Sequence, residues 1–132
     1  MLLSFYQSPR KEDGYELTYY ARIDPRYGTM DDFKRFLVEA HRHGLQVFTE
    51  LVINHTSDQH PWFQRARKAP KGSPERDFYV WSDDPRKYGE TRIIFTGTAK
   101  SNWQWDGDAD QFYWQTLFSP QPSRKFDTPQ AL

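Results

Sequence analysis

A short apolar run ends abruptly in side chains that can bind ligands and titrate. Residues 49–63 read TELVINHTSDQHPWF, so Leu51-Val52-Ile53 is followed at once by Asn54 and His55. A histidine at the end of a buried strand can donate a hydrogen bond to a substrate hydroxyl. An asparagine carbonyl there can bind a hard cation such as Ca²⁺. The alternative is that both side chains cap the strand and satisfy loop backbone groups, and the spacing alone does not separate the two readings.

A second group of chemically active residues lies in the loop EDGYE, from Glu12 to Glu16. Its three acidic side chains surround Tyr15, an arrangement that can bind a sugar hydroxyl or a cation. Taken by themselves, the residues favour a solvated turn instead, because the Asp-Gly pair is a common turn signal.

Other metal and cofactor motifs fail on spacing or composition. DGDADQ, residues 106–111, resembles the start of an EF-hand loop, but the sixth position is Gln111 rather than glycine and the twelfth is Leu117 rather than glutamate. The chain has no cysteine, and His55 and His60 lack the spacing of a helical zinc pair. No glycine-rich phosphate loop is present, so no organic cofactor is expected.

Composition narrows the class of protein. The 132 residues suffice for one domain core, and 18 basic residues balance 18 acidic ones. This charge balance argues against nucleic acid and anionic membrane partners. No apolar stretch is long enough to cross a bilayer, the N-terminus lacks the pattern of a signal peptide, and the absence of cysteine fits the cytoplasm. Aromatic residues make up 17% of the chain, which favours a folded protein and suits sugar ligands.

The elements that must position Asn54 and His55 begin with a helix. Thr29 is a good N-cap, and Gly44 is a typical stop just after the last turn. Between them, Phe33, Phe36, Leu37 and Ala40 follow helical spacing and predict one buried stripe.

The segment LQVFTELVINH follows this helix. Its second half is apolar and β-branched throughout, which predicts a strand buried on both faces, as in a parallel sheet covered by helices. Strand, helix and buried strand form a βαβ unit, in which functional residues lie at the carboxyl ends of the strands. Asn54 and His55 are at that end.

Beyond Thr56 the pattern becomes irregular and rich in aromatic residues. HPWFQRARKAP predicts one or two helical turns before Pro70, and FYVWS and TRIIFTG predict short strands. SNWQW and QFYWQTLF alternate around Asp106-Gly107, which predicts a hairpin. The tail from Ser119 contains three prolines and is typical of a loop.

Several of these stretches resemble a known family. GLQVFTELVINHTSDQHPWF resembles the first conserved motif of the α-amylase superfamily, glycoside hydrolase family thirteen. ERDFYVWSD and SNWQWD are similar to the trehalose synthase branch, and oligo-1,6-glucosidase-type enzymes are the nearest competitors. The resemblance covers essentially the whole chain.

The resemblance implies an α/β fold: part of a (β/α)₈ barrel with an inserted, irregular β-rich subdomain. Residues 2–6 would then end the second barrel strand, residues 33–43 would form the second helix, and residues 47–54 would form the third strand. Residues 1–55 would be the barrel segment, 56–122 the inserted domain, and 123–132 the return toward the barrel.

The resemblance also implies roles for individual residues. Tyr15 would stack on the sugar in the reacting subsite, His55 would bond its hydroxyls, and Glu12 would be among the substrate-binding residues. Asn54 would ligate a structural calcium ion. The implied reaction is retaining glucosyl transfer between maltose and trehalose. The nucleophile, the acid/base and the third carboxylate are expected beyond Leu132, so this chain alone would be inactive.

Some positions depart from the family pattern. Glu12 and Glu16 stand where aspartate is usual, and the segment usually reading QPDLNFDNP is QPSRKFDTP. Ser123 therefore replaces a calcium-ligating aspartate, and Arg124 and Lys125 replace a leucine and an asparagine. Two alternatives remain: an α-glucosidase hydrolase fragment, and a non-catalytic carbohydrate-binding module.

Overall fold

A computed structural model describes residues 1–11, 14–94, 101–115 and 121–127. The chain divides into two compact units, Met1–Val52 and Ile53–Leu132. Within the described ranges no helix is both long and apolar enough to cross a membrane. The predicted three-part division at residues 55 and 122 stays a prediction.

Each unit contains short strands and helices. The first holds β1 (Tyr6–Gln7), β2 (Tyr19–Ile23) and α1 (Met30–Arg42). The second holds α2 (Pro61–Ala66), a 3₁₀ turn (Arg76–Phe78), β3 (Trp81–Ser82), β4 (Trp103–Asp106) and β5 (Gln111–Trp114).

Helix α1 begins and ends where the sequence predicts. The Asp32 amide donates to the Thr29 hydroxyl at 3.1 Å, and the Thr29 amide donates to the Asp32 carboxylate at 2.7 Å. These reciprocal bonds form a capping box, and the bonds from Thr29 together with the side chain of Arg35 lower the pKa of Asp32 to about 2. Gly44 follows the helix with φ +71°, a conformation that favours glycine.

The predicted buried stripe of α1 is only partly buried. Ala40 is enclosed, and Phe33 packs against Phe5 with ring centroids 4.9 Å apart. Phe36, however, is 45% exposed, so its predicted burial is wrong. Its ring stacks on Phe33 at 6.4 Å, along the helix rather than into a core.

The predicted strand over residues 47–54 is not formed as a continuous element. One parallel bridge joins Leu2 to Thr49, which is the pairing expected of neighbouring strands in a βαβ unit. β1 then pairs antiparallel with β2 and does not extend that ladder. Leu51 is 62% exposed, so burial on both faces is wrong here. The strand details of a partial barrel are therefore not confirmed.

The predicted hairpin of the second unit is confirmed. β4 and β5 pair antiparallel from Trp103↔Trp114 to Asp106↔Gln111, and β3 adds to the other edge of β5. The Asp106 carboxylate accepts the Ala109 amide at 2.9 Å, so the aspartate folds the turn through its own side chain.

Two other predicted strands differ from the structure. Of FYVWS, only Trp81–Ser82 is a strand. Of TRIIFTG, residues 91–94 are not in a strand, and the remaining three lie outside the described residues. The helical turns predicted before Pro70 are confirmed as α2.

The core of the second unit is aromatic. Phe63 of α2 is 1% exposed and stacks on Trp81 at 5.5 Å. Tyr79 and Tyr113 meet the Phe63 ring edge-on at 5.1 and 5.2 Å. Offset and edge-on contacts of this kind suit the ring quadrupoles, so α2, β3 and β5 are joined mainly by rings.

Residues 121–125, called the return segment below, form extended pairings rather than the predicted loop. Its bridges reach three other parts of the second unit. They join Gln115 to Pro122, His55 to Ser123, and Tyr79 to Arg124.

Candidate functional site

The structure encloses His55 but leaves Asn54 exposed. His55 is 3% exposed, and the two residues after it, Thr56 and Ser57, are fully buried. The backbone of His55 pairs with Ser123 of the return segment. The predicted pair therefore splits: His55 is fixed inside the second unit, whereas the Asn54 side chain lies at its surface.

Hydrogen bonds hold the chain on both sides of His55. The Thr56 amide donates to the Pro122 carbonyl at 3.2 Å, and the Arg124 amide donates to the Asn54 carbonyl at 2.9 Å. The Thr56 hydroxyl lies 2.8 Å from the Tyr79 hydroxyl. A side chain on so constrained a backbone is preorganised for binding.

Replacing Tyr79 by phenylalanine should therefore lower the free energy of unfolding of the second unit by about 1 kcal/mol, because the buried Thr56 hydroxyl loses a partner. Urea unfolding followed by tryptophan fluorescence measures it, since all five tryptophans lie in this unit. Tyr88→Phe is the control, because Tyr88 is 56% exposed. If Tyr79→Phe and Tyr88→Phe lowered the free energy of unfolding equally, the hydrogen bond between Thr56 and Tyr79 would not be what stabilises the unit.

Tyr15 lies in the first unit, in a turn that is more buried than its sequence predicts. Glu16 is 0% exposed and Tyr15 is half-buried, so the solvated-turn interpretation is wrong for this part of the loop. Gly14 has φ +94° and its carbonyl accepts the Ser4 hydroxyl at 2.8 Å. Glu12 lies outside the described residues.

His60 has a structural role that sequence reasoning missed. Its Nδ1 accepts the Trp62 amide at 3.0 Å and so caps α2. Burial, followed by the positive charges of Arg124 and Arg65, lowers the pKa of His60 to about 4. The imidazole is therefore neutral at pH 7, and only the neutral ring can accept this bond. A histidine immediately before Pro61 was the available signal.

Arg124 lies beside the position where the resemblance implies calcium. Its Nη1 donates to the Ile53 carbonyl at 3.3 Å, and its backbone amide donates to the Asn54 carbonyl at 2.9 Å. The guanidinium carbon lies 5.1 Å from the centre of the Trp62 ring and 4.8 Å from that of Phe126. Cation–π contacts of this length stabilise the positive charge.

These residues do not fit a calcium ion. Calcium takes six to eight oxygen ligands, usually including carboxylates. Here the main-chain carbonyls of Ile53 and Asn54 are already bonded to Arg124. Ser123 has a hydroxyl in place of a carboxylate. Within the described ranges, no group of three or more His, Asp or Glu side chains is arranged to hold a metal. The fixed guanidinium would also repel a cation placed there.

Comparison with known proteins identifies what the chain is similar to. The family described as "Alpha amylase, catalytic domain" matches residues 1–131. "Trehalose synthase/amylase TreS" of Mycolicibacterium smegmatis is 49% identical over 125 residues, covering 95% of this chain and 21% of that protein. "Trehalose synthase" of Thermus thermophilus is 47% identical over 130 residues, covering 98% of this chain and 13% of that protein.

Hydrolases are similar at lower identity. "Trehalose-6-phosphate hydrolase" of Escherichia coli is 39% identical over 122 residues, which cover 91% of this chain and 21% of that protein. The solved structure of the Bacillus licheniformis trehalose-6-phosphate hydrolase superimposes with a TM-score of 0.85 at 33% identity. It covers 98% of this chain and 23% of that one. The chain thus spans about a fifth of the length of most of these relatives.

Proposed function

Because the chain belongs to the α-amylase catalytic-domain family, we propose that it forms part of an enzyme acting on α-glucosides, specifically one that interconverts maltose and trehalose. One observation carries the specific proposal. Relatives named trehalose synthase are 46 to 49% identical to it, whereas relatives named hydrolase or glucosidase reach 38 to 39% over similar lengths.

In this proposal, His55 donates a hydrogen bond to a hydroxyl of the reacting sugar. The support is its placement: the ring is 3% exposed, and the backbone on both sides of it is bonded to the return segment. A donor held in place before the substrate arrives loses little entropy on binding and can favour the transition state.

Tyr15 is proposed to stack on a sugar ring, and Glu12 to bond a sugar hydroxyl. A half-buried tyrosine presents an apolar face and a polar edge, as pyranose rings do. Gly14, with φ +94°, sets the backbone immediately before Tyr15. A side chain at position 14 would strain this turn because of the positive φ.

The proposed reaction retains the anomeric configuration. A carboxylate attacks the anomeric carbon while a carboxylic acid protonates the leaving oxygen, and the released glucose then returns through a different hydroxyl. Water in the site would instead release free glucose. The aromatic core around Phe63 and Trp81 is proposed to stiffen the inserted domain that keeps water out.

A graft tests the proposal. This chain would replace the matching 125 residues of the M. smegmatis relative, and the products formed from maltose would be measured by chromatography. We expect trehalose as the main product, at a ratio to glucose close to that of the parent enzyme. A grafted enzyme that folds but releases mainly glucose would contradict the proposal and favour a hydrolase.

A further inference from the structure

We propose that Arg124 takes the place of a calcium ion in this protein: its side chain and backbone hold the segment carrying His55, and together with Ser123 it excludes the metal. The inference stands apart from the proposed sugar chemistry, since its tests need no substrate. It rests on contacts within the second unit.

Arg124 bonds the main-chain oxygens of both Ile53 and Asn54. The Ile53 carbonyl accepts Arg124 Nη1 at 3.3 Å, and the Asn54 carbonyl accepts the Arg124 amide at 2.9 Å. Both main-chain oxygens before His55 are therefore bonded to a single residue. A calcium ion binding to either oxygen would lie next to a permanent positive charge.

Ser123 is fixed through its backbone. Its amide donates to the Trp114 carbonyl at 2.8 Å, and its carbonyl accepts the Val80 amide at 3.3 Å. The backbone at this position is thus committed to pairing, and the side chain carries a hydroxyl rather than a carboxylate. A neutral hydroxyl is a much weaker calcium ligand than a carboxylate.

The guanidinium of Arg124 packs against two aromatic rings. Its carbon lies over the Trp62 ring at 5.1 Å and over the Phe126 ring at 4.8 Å. Arginine is more weakly hydrated than a metal ion or an ammonium group, and it stacks on aromatic faces while donating bonds in its own plane. Arg124 can therefore connect the return segment to residues 53 and 54 through its side chain and its backbone.

Arg124 is accordingly a positioning residue for His55, and its removal should loosen residues 53–57. Hydrogen–deuterium exchange of these amides in Arg124→Leu should be faster by about tenfold, the effect of losing one charge-assisted hydrogen bond. Arg124→Lys keeps the charge and one donor, so its exchange should be intermediate. Arg86→Leu, at an 89% exposed side chain of the same unit, is the matched control and should leave these amides unchanged.

Calcium itself supplies the second readout. The melting temperature of the wild-type chain should be the same in millimolar calcium chloride and in a chelator. Ser123→Asp combined with Arg124→Leu supplies a carboxylate and removes the cation, so the melting temperature of this double variant should rise with calcium.

Three results would overturn the inference. A rise in the melting temperature of the wild type with calcium would mean that the ion binds despite Arg124. Equal exchange of residues 53–57 in the Arg124→Leu and Arg86→Leu variants would remove the positioning role. A double variant that responds to calcium no more than the wild type would show that Ser123 and Arg124 are not what excludes the ion.

Discussion

Replacing His55 by alanine in the grafted enzyme should lower kcat for maltose by about 100- to 1000-fold, the usual cost of losing one preorganised donor to a developing charge. His55 is 3% exposed and its backbone is bridged to Ser123, so the donor is held in place before the substrate binds. KM should change less than kcat, because the bond is proposed to strengthen in the transition state.

Steady-state kinetics of three variants separates this role from a folding defect. His55→Gln keeps an amide donor of similar length and should recover part of the lost activity. His41→Ala removes an exposed histidine at the end of α1 and should leave both constants unchanged. A loss in His55→Ala that appears only in KM, or an equal loss in His41→Ala, would contradict the assigned role.

The second large effect is a loss of stability in acid that originates at His60. The pKa of His60 is lowered from 6.5 to about 4 in the folded chain, so the unfolded chain binds a proton first as the pH falls. The free energy of unfolding should therefore decrease between pH 6.5 and pH 4, by at most about 3 kcal/mol. It should be fully restored above pH 6.5, where both states hold the neutral ring.

Urea unfolding at several pH values, followed by tryptophan fluorescence, measures this slope in the unit that contains His60. His60→Asn keeps a side chain that caps helices well but does not titrate, so the slope between pH 4 and 6.5 should flatten. His41→Asn at an exposed position should keep the wild-type slope. If His60→Asn were as sensitive to acid as the wild type, the loss would originate at another group.

Features set by neighbouring residues could be predicted from the sequence. Thr29 and Gly44 mark the start and the end of α1 as predicted, because capping depends on groups within one turn. The hairpin of β4 and β5 was correct because the Asp106 side chain folds its own turn. In both cases the deciding hydrogen bonds join residues only three apart.

Features set by distant partners could not be predicted. An apolar run such as residues 47–54 becomes a strand only where another strand pairs along its length, and here a single bridge to Leu2 is formed. The burial of His55 and the contacts of Arg124 depend on the return segment, about 70 residues further along the chain. No local sequence pattern predicts such a pairing, and the prolines of the tail indicated a loop instead.

The binding roles of Asn54 and His55 stay predictions. The change from apolar to polar residues drew attention to this stretch, and the structure distinguishes the enclosed histidine from the exposed asparagine. The roles of Tyr15 and Glu12 in binding remain predictions. The replacement of the usual aspartate by Ser123 was visible in the sequence. The position of the Arg124 guanidinium could be seen only in the structure.

The central claim, that His55 donates a hydrogen bond to a bound sugar, is tested most directly by nuclear magnetic resonance. The chain has four histidines, so their imidazole signals can be followed separately while maltose is added. We predict a saturable shift of the His55 signal, with the signals of exposed His41 and His43 unchanged. No shift at His55, or equal small shifts at all four rings, would contradict the account.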